Sequence, residues 1–260
     1  MNIGKQLFKS LYSPKDIASY RFQGIGKTIL FVFFLTLISV IPTIYHFSTG
    51  LIDGLNQVNE SIKKDIPSFS IENGELISDQ SDPVTINKND FTIIFDGSGK
   101  VDENQVSDTN NGIALLKDEF IFFANGQSQS YSYSMLQDLS LTKDDLVDFL
   151  GDVQSMLGII IPIVAFILYL FASAGKFIEI CVLAIFGLFF ANMLNRPLKY
   201  GHSWRISAYA VTLPTIFFTV MEALKTSVSN GFLLNWCIAF ILIFLSLKEI
   251  PSKKQKETGL

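Results

Sequence analysis

Five apolar segments in this sequence are each long enough to cross a lipid bilayer, and no other feature constrains the fold as strongly. They lie at about residues 29–47, 156–174, 177–194, 206–224 and 232–247. A bilayer core about 30 Å thick is crossed by an α-helix of roughly 20 mainly apolar residues. The mean hydropathy of +0.37 also agrees with a membrane class. We therefore predict a polytopic α-helical membrane protein with five spans.

The first apolar segment follows a tail with several positive charges, a pattern that signal peptides and membrane anchors share. These charges are Lys5, Lys9, Lys15, Arg21 and Lys27. The apolar run is longer than the hydrophobic region of a signal peptide, and residues 45–49 after it lack the small-x-small cleavage pattern. We interpret the segment as a permanent first span.

The region between the first two spans has a different composition. Of the 24 acidic residues in the chain, 19 lie between Leu51 and Gln154, together with only six lysines. So acidic a region argues against a nucleic-acid partner. Cys181 and Cys237 are the only cysteines, and both lie in apolar segments, so the acidic region can form neither a disulfide nor a cysteine-based zinc site.

Short apolar stretches within the acidic region predict a β-rich fold. We expect seven strands, at residues 69–71, 75–77, 84–86, 91–95, 113–116, 119–124 and 130–135. The dipeptides Asn73-Gly74, Asp96-Gly97 and Asn125-Gly126 are hairpin-turn signals. These turns favour a mostly antiparallel arrangement.

Amphipathic helices are predicted on both sides of these strands. After the first span, apolar residues continue at helical spacing until Pro67, at Leu51, Leu55, Val58 and Ile62. Before the second span, Thr142 and Asp145 resemble a capping box that starts a helix through Leu146, Phe149 and Leu150. The fold class predicted is thus a five-span bundle with an inserted, β-rich extracytoplasmic domain flanked by amphipathic helices.

These elements divide the chain into five regions. We predict a basic cytoplasmic tail at 1–27, span one at 28–48, the acidic domain at 49–154, spans two to five at 155–248, and a basic tail at 249–260. Five spans place the termini on opposite sides, and the short segments then carry seven basic residues on each side, a tie under the positive-inside rule. Since the first span usually dominates orientation, we predict a cytoplasmic N-terminus in a bacterial plasma membrane, with residues 49–154 outside.

Known motifs for catalysis or cofactor binding do not fit this sequence. Gly26-Lys27-Thr28 resembles the end of a phosphate-binding loop, but Arg21 stands where that motif requires its first glycine. The segment 96–103 resembles a calcium loop, but Lys100 and Val101 replace an oxygen ligand and the glycine. We interpret 96–103 as a hairpin turn with solvated charges, and a weak cation site is the alternative. We predict no enzyme activity, cofactor or metal.

The candidate functional residues are polar groups in or beside the apolar segments. They are Lys176, Glu179, Asn192, Asn195, Glu222 and Lys225. A charge that faces lipid is costly, so such residues pair with one another or line a polar path. The three-residue spacing predicts structural ion pairs between Lys176 and Glu179 and between Glu222 and Lys225. A polar groove between helices is the alternative.

The sequence resembles a family of Gram-positive bacterial membrane proteins of about this length and of unknown function, some of them maltodextrin-utilisation accessory proteins. The resemblance is carried by Ser13-Pro14, Tyr20-Arg21, and the segments 69–76, 91–100 and 112–118. It covers nearly the whole chain and implies the architecture more strongly than an activity. A more distant likeness to five-span Yip1-type proteins implies the same orientation.

These observations lead to two functional hypotheses of different classes. The first is a non-enzymatic accessory or sensory protein whose outer domain is coupled to a membrane partner, such as a sugar-uptake permease. The second is a small-solute transporter or lipid-handling protein with a polar path among spans two to five. The lipid bilayer is the expected partner in both, and the sequence does not define the oligomeric state.

Overall fold

The computed structural model describes residues 2–88, 91–102, 111–124, 126–136 and 140–252. The chain forms two compact units. One is Ser48–Ile161, and the other combines Met1–Phe47 with Pro162–Leu260. We refer to them as the β unit and the helical unit.

Seven α-helices are present in the described residues. They are α1 (Ile3–Ser10), α2 (Pro14–Ser19), α3 (Ile25–Lys64), α4 (Lys143–Met193), α5 (Tyr200–Ala210), α6 (Thr212–Ala223) and α7 (Gly231–Lys248). A short 3₁₀ turn, Tyr20–Phe22, follows α2. Helices α3 and α4 each contain residues of both units.

Four helical segments in the described residues are long and apolar enough to cross a membrane, instead of the five predicted. They are α3, α4, the α5–α6 segment Tyr200–Ala223, and α7. Large apolar side chains on α4 are well exposed, including Ile159 at 67% and Phe171 at 74%. Side chains of this kind require an apolar environment when they lie together on one helix. The composition and exposure of these helices are those of a membrane protein.

The difference in span count arises because predicted spans two and three form one continuous helix, α4. Only Gly175 and Lys176 separate the two predicted segments, and a single glycine costs a helix about 1 kcal/mol relative to alanine. That penalty is too small to end a helix that has long apolar segments on both sides of the glycine. Pro162 is also accommodated within α4 without ending it.

Pro214 has a larger local effect than Pro162. The predicted fourth span is divided into α5 and α6 at Val211. Proline has no N–H to donate to the carbonyl four residues earlier, and its ring crowds that carbonyl, so a helix is interrupted just before it. In α6, Pro214 lies in the first turn, where proline is tolerated.

Tyr209 of α5 lies at the centre of the helical unit and is fully buried. Its ring packs on Phe31 and Tyr20, with centroid distances of 4.3 and 4.5 Å. Gln23 donates a hydrogen bond to the Tyr209 hydroxyl. These contacts attach the N-terminal segment to the helices.

Small residues allow α4 and α5 to approach closely. A Cβ at Gly187 would lie 2.3 Å from Oγ of Ser203, and that hydroxyl donates a hydrogen bond to the Ala184 carbonyl at 2.7 Å. Small residues and hydroxyls of this kind are common at interfaces between membrane helices. The α4–α5 contact therefore depends on the absence of a side chain at Gly187.

The N-terminal segment and the C-terminal end of α7 lie at the same end of the helical unit. Arg205 donates a hydrogen bond to the Arg21 carbonyl at 3.3 Å. Arg21 and Phe22 line one cavity together with Ile250 and Pro251, which follow α7.

The β unit contains two sheets. Strands β1 (Phe69–Glu72), β2 (Glu75–Ser78) and β8 (Leu141–Thr142) form one sheet in the order β2-β1-β8. The other sheet follows the order β3-β4-β5-β6-β7, with β3 (Val84–Lys88), β4 (Phe91–Phe95), β5 (Asn111–Leu115), β6 (Glu119–Ala124) and β7 (Gln127–Ser132). A strand is present at each of the seven predicted places, and β8 is an additional short one. The last prediction, 130–135, is wrong in its second half, because β7 ends at Ser132 and Tyr133–Leu136 forms a 3₁₀ turn.

Two of the three predicted hairpin turns are confirmed, and one is wrong. Asn73 and Gly74 both have positive φ, as a two-residue β1–β2 turn requires. Strands β6 and β7 pair as a hairpin through Gly126, while Asn125 lies outside the described residues. By contrast, β4 and β5 are parallel, so Asp96-Gly97 begins a crossover instead of a hairpin.

The Asp96 carboxylate organises the start of this crossover and is not a solvated turn charge. Asp96 is 1% exposed and accepts hydrogen bonds from the Ser98 and Val101 backbone N–H groups at 2.8 and 2.7 Å. Burial alone would raise the pKa of Asp96, but the hydrogen bonds from Ser98, Val101 and Lys100 outweigh it and lower the pKa. The carboxylate thus remains ionised and satisfied by its own loop.

Both flanking helices contribute to the core of the β unit. Ile62 of α3 is 1% exposed and packs with Phe69, Phe95 and other strand residues, against which Leu146 of α4 also packs. The predicted capping box is present, because Asp145 accepts hydrogen bonds from the Thr142 backbone N–H and hydroxyl at 2.9 and 2.6 Å. The amphipathic helices therefore form part of the fold of the β unit.

We predict that Gly112→Ala prevents normal packing of the β unit. A Cβ at this position in β5 would lie 1.9 Å from the Thr92 carbonyl oxygen and 2.6 Å from the Phe123 ring. The parallel β4–β5 pair must separate to admit it, so we expect a loss of about 3 kcal/mol in the free energy of unfolding. Limited proteolysis of the full chain at increasing denaturant concentration measures the change.

Gly151→Ala is the matched control, because a Cβ there meets no atom within 4 Å. It should leave the proteolysis profile unchanged or slightly improved. Equal resistance of the two variants would contradict the assigned β4–β5 register.

Candidate functional site

Lys176 and Glu179 of α4 form the ion pair that their spacing predicts, within the helical unit. Lys176 Nζ lies 2.7 Å from Glu179 Oε2 and also donates a hydrogen bond to Thr215 Oγ1 at 3.1 Å. The other carboxylate oxygen of Glu179 accepts a hydrogen bond from Asn235 Nδ2 at 2.7 Å. The two charged side chains are 15% and 14% exposed. Three helices, α4, α6 and α7, thus meet through one polar cluster.

A cavity of about 580 Å³ adjoins this polar cluster. Its wall includes Ser39 and Thr43 of α3, Lys176 and Asn235 of the cluster, and Glu222 near the end of α6. His46 Nε2 lies 3.1 Å from the Glu222 backbone oxygen. The cavity is therefore polar on several sides. The charged groups of the adjoining cluster, however, already make most of their hydrogen bonds to one another and to Thr215 and Asn235.

The predicted ion pair between Glu222 and Lys225 is not formed. Both residues are described, and no salt bridge joins them. Lys225 has φ of +53°, Lys225 N–H donates to the Glu222 carbonyl, and Thr226 N–H donates to the Met221 carbonyl. These bonds are those of a Schellman motif that satisfies the last carbonyls of α6. Lys225 therefore lies just beyond the end of α6. Because its backbone is left-handed there, its side chain does not follow the helix, and the three-residue spacing no longer places it beside Glu222.

Asn195 has the corresponding role at the end of α4. Its φ is +52°, its N–H donates to the Asn192 carbonyl at 3.0 Å, and Arg196 N–H donates to the Ala191 carbonyl at 2.8 Å. Asn192 lines a different cavity from that beside Lys176. Thirteen residues separate Glu179 from Asn192 in the same helix, which is about 20 Å along the axis. The six predicted polar residues thus do not form one site.

We predict that neutralising both members of the Lys176–Glu179 pair is milder than neutralising one. Lys176→Met leaves the Glu179 carboxylate in an apolar region with only Asn235 as a partner, and we expect it to cost about 3 kcal/mol. The double variant Lys176→Met/Glu179→Gln removes the uncompensated charge and should recover at least half of that loss. Thermal unfolding of the purified full chain in detergent measures both.

If the role of the ion pair is purely structural, each variant should lose function only to the extent that it loses stability. If Glu179→Gln abolished function while its unfolding temperature stayed at the wild-type value, the pair would have a direct functional role.

An apolar cavity in the β unit has a volume of about 860 Å³. Helix α3 contributes residues from Gly50 to Ile62, and the start of α4 contributes residues from Asp145 to Leu150. Strands of both sheets complete the wall with Phe69, Ile71, Phe91, Ile113, Leu115, Phe120 and Phe122. Sites for small ligands usually have volumes of about 300–1,000 Å³ and mainly hydrophobic and aromatic walls.

Few polar groups border the apolar cavity. Tyr133 lines it and is 4% exposed, and its hydroxyl has no hydrogen-bond partner among the described residues. Burial, and to a lesser extent the charge of Glu119, raises the pKa of Tyr133, so the hydroxyl stays protonated at neutral pH. A buried hydroxyl without a partner is costly unless a ligand or water completes it. The cavity therefore combines a mainly apolar wall with a tyrosine whose buried hydroxyl has no partner among the described residues.

The sequence did not identify this cavity in advance. Its lining residues are the same apolar residues that predict ordinary strands and amphipathic helices, and nothing in their spacing distinguishes a cavity wall from a filled core. Gly50 and Gly54 on the cavity side of α3 are the one signal, because small residues at helical spacing leave space beside the helix.

The described residues contain no group of three or more His, Cys, Asp or Glu side chains arranged to hold a metal ion. Asp96, the first residue of the segment that resembled a calcium loop, accepts hydrogen bonds from Ser98 and Val101 of its own turn.

A family model described as "Protein of unknown function (DUF1189)" matches residues 5–247. The match covers nearly the whole sequence, including both compact units. No curated protein and no solved structure matches the chain.

Proposed function

The chain belongs to the DUF1189 family of proteins of unknown function, and we propose that it is a non-enzymatic membrane protein that binds an apolar, chain-like ligand in its β unit. The occupant that we propose is the hydrocarbon chain of a lipid or fatty acid. The observation that carries the proposal is the 860 Å³ apolar cavity.

The chemistry of the wall supports an apolar ligand over a sugar. A maltodextrin presents many hydroxyls, and each would lose hydrogen bonds to water in a cavity bordered almost wholly by Leu, Ile, Val and Phe side chains. A hydrocarbon chain loses none and gains roughly 0.8 kcal/mol for each buried CH₂ group. The sugar-uptake link that the family resemblance implies thus stays a prediction about a partner.

Tyr133 supports a ligand with one polar end. Its buried hydroxyl is a donor in need of an acceptor, and a carboxylate or ester carbonyl supplies one. A fatty acid or an acyl lipid has such an acceptor next to a hydrocarbon chain, which matches one donor in an apolar wall.

A sensory or accessory role follows from the helices that form the cavity. Helices α3 and α4 each supply cavity residues and continue into a candidate span without a break. We propose that occupancy of the cavity changes the spacing of these two helices, and that a membrane partner responds to the change. Solute transport has less support, since Glu179 and Asn192 border separate regions of the helical unit.

We predict that filling the cavity from α3 weakens ligand binding. Gly50 and Gly54 both line the cavity, and a Cβ at either position meets no atom within 4 Å. Gly50→Leu/Gly54→Leu should therefore occupy the space without strain and improve helix propensity. We expect a loss of at least about tenfold in affinity for a dansyl-labelled fatty acid, measured by fluorescence titration of the purified full chain.

Gly151→Leu/Gly158→Leu is the matched control, because both glycines lie in α4, have open space around a Cβ, and do not line the cavity. This control variant should bind the probe as the wild type does. A separate variant, Tyr133→Phe, should weaken binding of the fatty acid without affecting binding of an unsubstituted hydrocarbon probe. Equal probe binding by the cavity-filling variant and the wild type would show that the ligand does not enter this cavity.

We further propose a four-crossing topology with both termini in the cytoplasm and the β unit outside a bacterial plasma membrane. With four crossings, the N-terminal tail, residues 195–205 and the C-terminal tail share one side, with twelve basic residues in total. The short segment between α6 and α7 on the opposite side has only Lys225. The basic residues of the short segments are then no longer divided equally between the two sides. The positive-inside rule places the side that has twelve of them in the cytoplasm.

Cysteine labelling tests this topology. Cys181 and Cys237 are first replaced by serine, and single exposed reporters are introduced as Lys5→Cys, Asp79→Cys, Ser229→Cys and Ser252→Cys. An impermeant thiol reagent should label the Asp79 and Ser229 positions in intact cells, and the other two only after permeabilisation. Labelling at Ser252 with protection at Ser229 would restore the five-span count.

A further inference from the structure

A second cavity of the helical unit, about 550 Å³, is bordered by basic side chains. Arg21 precedes α3, while Arg196, Lys199 and His202 lie between the end of α4 and the first turn of α5. Among the described residues, no aspartate or glutamate lines this cavity, and its remaining wall is mostly apolar. We refer to it as the basic cavity. A cavity with several cations and no carboxylate attracts anions.

The guanidinium groups at the basic cavity are incompletely satisfied. Arg196 Nε is buried without a hydrogen-bond partner among the described residues, and so is Nε of Arg205, which flanks the cavity. Arg205 Nη1 donates only to backbone carbonyls, those of Arg21 and Gly201. A buried guanidinium donor without a partner is costly, and an anionic oxygen would remove that cost.

The first turn of α5 adds to the positive potential. Lys199 is the N-cap residue of this 11-residue helix, and its side chain makes no capping hydrogen bond. Backbone N–H groups at a helix N-terminus carry partial positive charge and bind anions readily. The basic side chains and the helix end thus favour the same kind of ligand.

Nearby carboxylates do not neutralise this charge. Asp16 is bound to Lys9, with 2.6 Å between Lys9 Nζ and Asp16 Oδ1. Glu249 is exposed and forms no salt bridge with a described residue. Neither of these two described carboxylates therefore neutralises the charge of the basic cavity.

We propose that the basic cavity binds a phosphate group, carried either by an anionic phospholipid or by a soluble phosphate compound. Arginine pairs with phosphate through two parallel hydrogen bonds, and a tetrahedral anion can accept from several donors at once. Basic pockets between membrane helices are suited to anionic headgroups, and the apolar wall from Phe22 and Leu188 suits the adjoining chains. This site lies in the other compact unit from the apolar cavity and does not depend on its function.

The experiment uses the purified full chain in a non-ionic detergent. Thermal unfolding is followed by tryptophan fluorescence, since Trp204 of α5 is 9% exposed. Three ligands are titrated: dioctanoyl phosphatidylglycerol, uncharged dioctanoylglycerol, and inorganic phosphate. We expect stabilisation by phosphatidylglycerol that exceeds that by dioctanoylglycerol and decreases as salt is raised.

Arg196→Gln/Lys199→Gln should weaken the apparent affinity for phosphatidylglycerol by roughly tenfold or more. The matched control, Lys5→Gln/Lys15→Gln, removes the same charge from exposed positions of the N-terminal tail and should stay within about twofold of wild type. An unfolding temperature of the Arg196→Gln/Lys199→Gln variant close to that of the wild type, measured without ligand, would exclude misfolding as the cause of the loss.

The two phosphate sources are separated by competition. Displacement of phosphatidylglycerol by inorganic phosphate at similar concentration assigns a soluble phosphate ligand, whereas no displacement assigns the lipid headgroup. Equal stabilisation by phosphatidylglycerol and dioctanoylglycerol in the wild type, or an equal loss of affinity in the tail variant, would overturn the proposal.

Discussion

The hydrogen-bonding requirement of the backbone in an apolar environment is the constraint on which the rest of this structure depends. Where no water is present, each unpaired N–H or C=O group costs several kcal/mol, so a helix continues until its last carbonyls can be satisfied. Helix α4 therefore continues past Gly175 and ends at a Schellman motif around Asn195. Helix α6 ends in the same way around Lys225. Two residues that the sequence marked as functional candidates are thus terminators of helices.

The continuity of α3 and α4 has a second consequence, in the β unit. Ile62 of α3 and Leu146 of α4 pack with the strands, so the helices are part of that hydrophobic core. The same helices also border the apolar cavity, through Gly54 on one and Leu150 on the other. A ligand in this cavity would contact both helices, and this arrangement is the physical basis of the sensory role that we propose.

The helical unit has a different distribution of polar groups at its two candidate sites. The Lys176–Glu179 cluster is saturated by Thr215 and Asn235, which is typical of a structural network. The basic cavity, in contrast, contains the Arg196 side chain with a buried donor that has no partner. This difference is why we propose ligand binding at the basic cavity and a structural role for the Lys176–Glu179 cluster.

The sequence by itself determined the features that depend on near neighbours along the chain. The apolar runs, the turn at Asn73-Gly74 and the capping box at Thr142 follow from local spacing and turn chemistry, and all are present. The seven strands follow in the same way, although the last is displaced by three residues toward the N-terminus. Only the tertiary structure decided the parallel β4–β5 pairing, the number of helices able to span, and the cavities. These depend on contacts between residues distant in sequence, such as Thr92 with Gly112 or Arg21 with Arg205, which local periodicity does not encode.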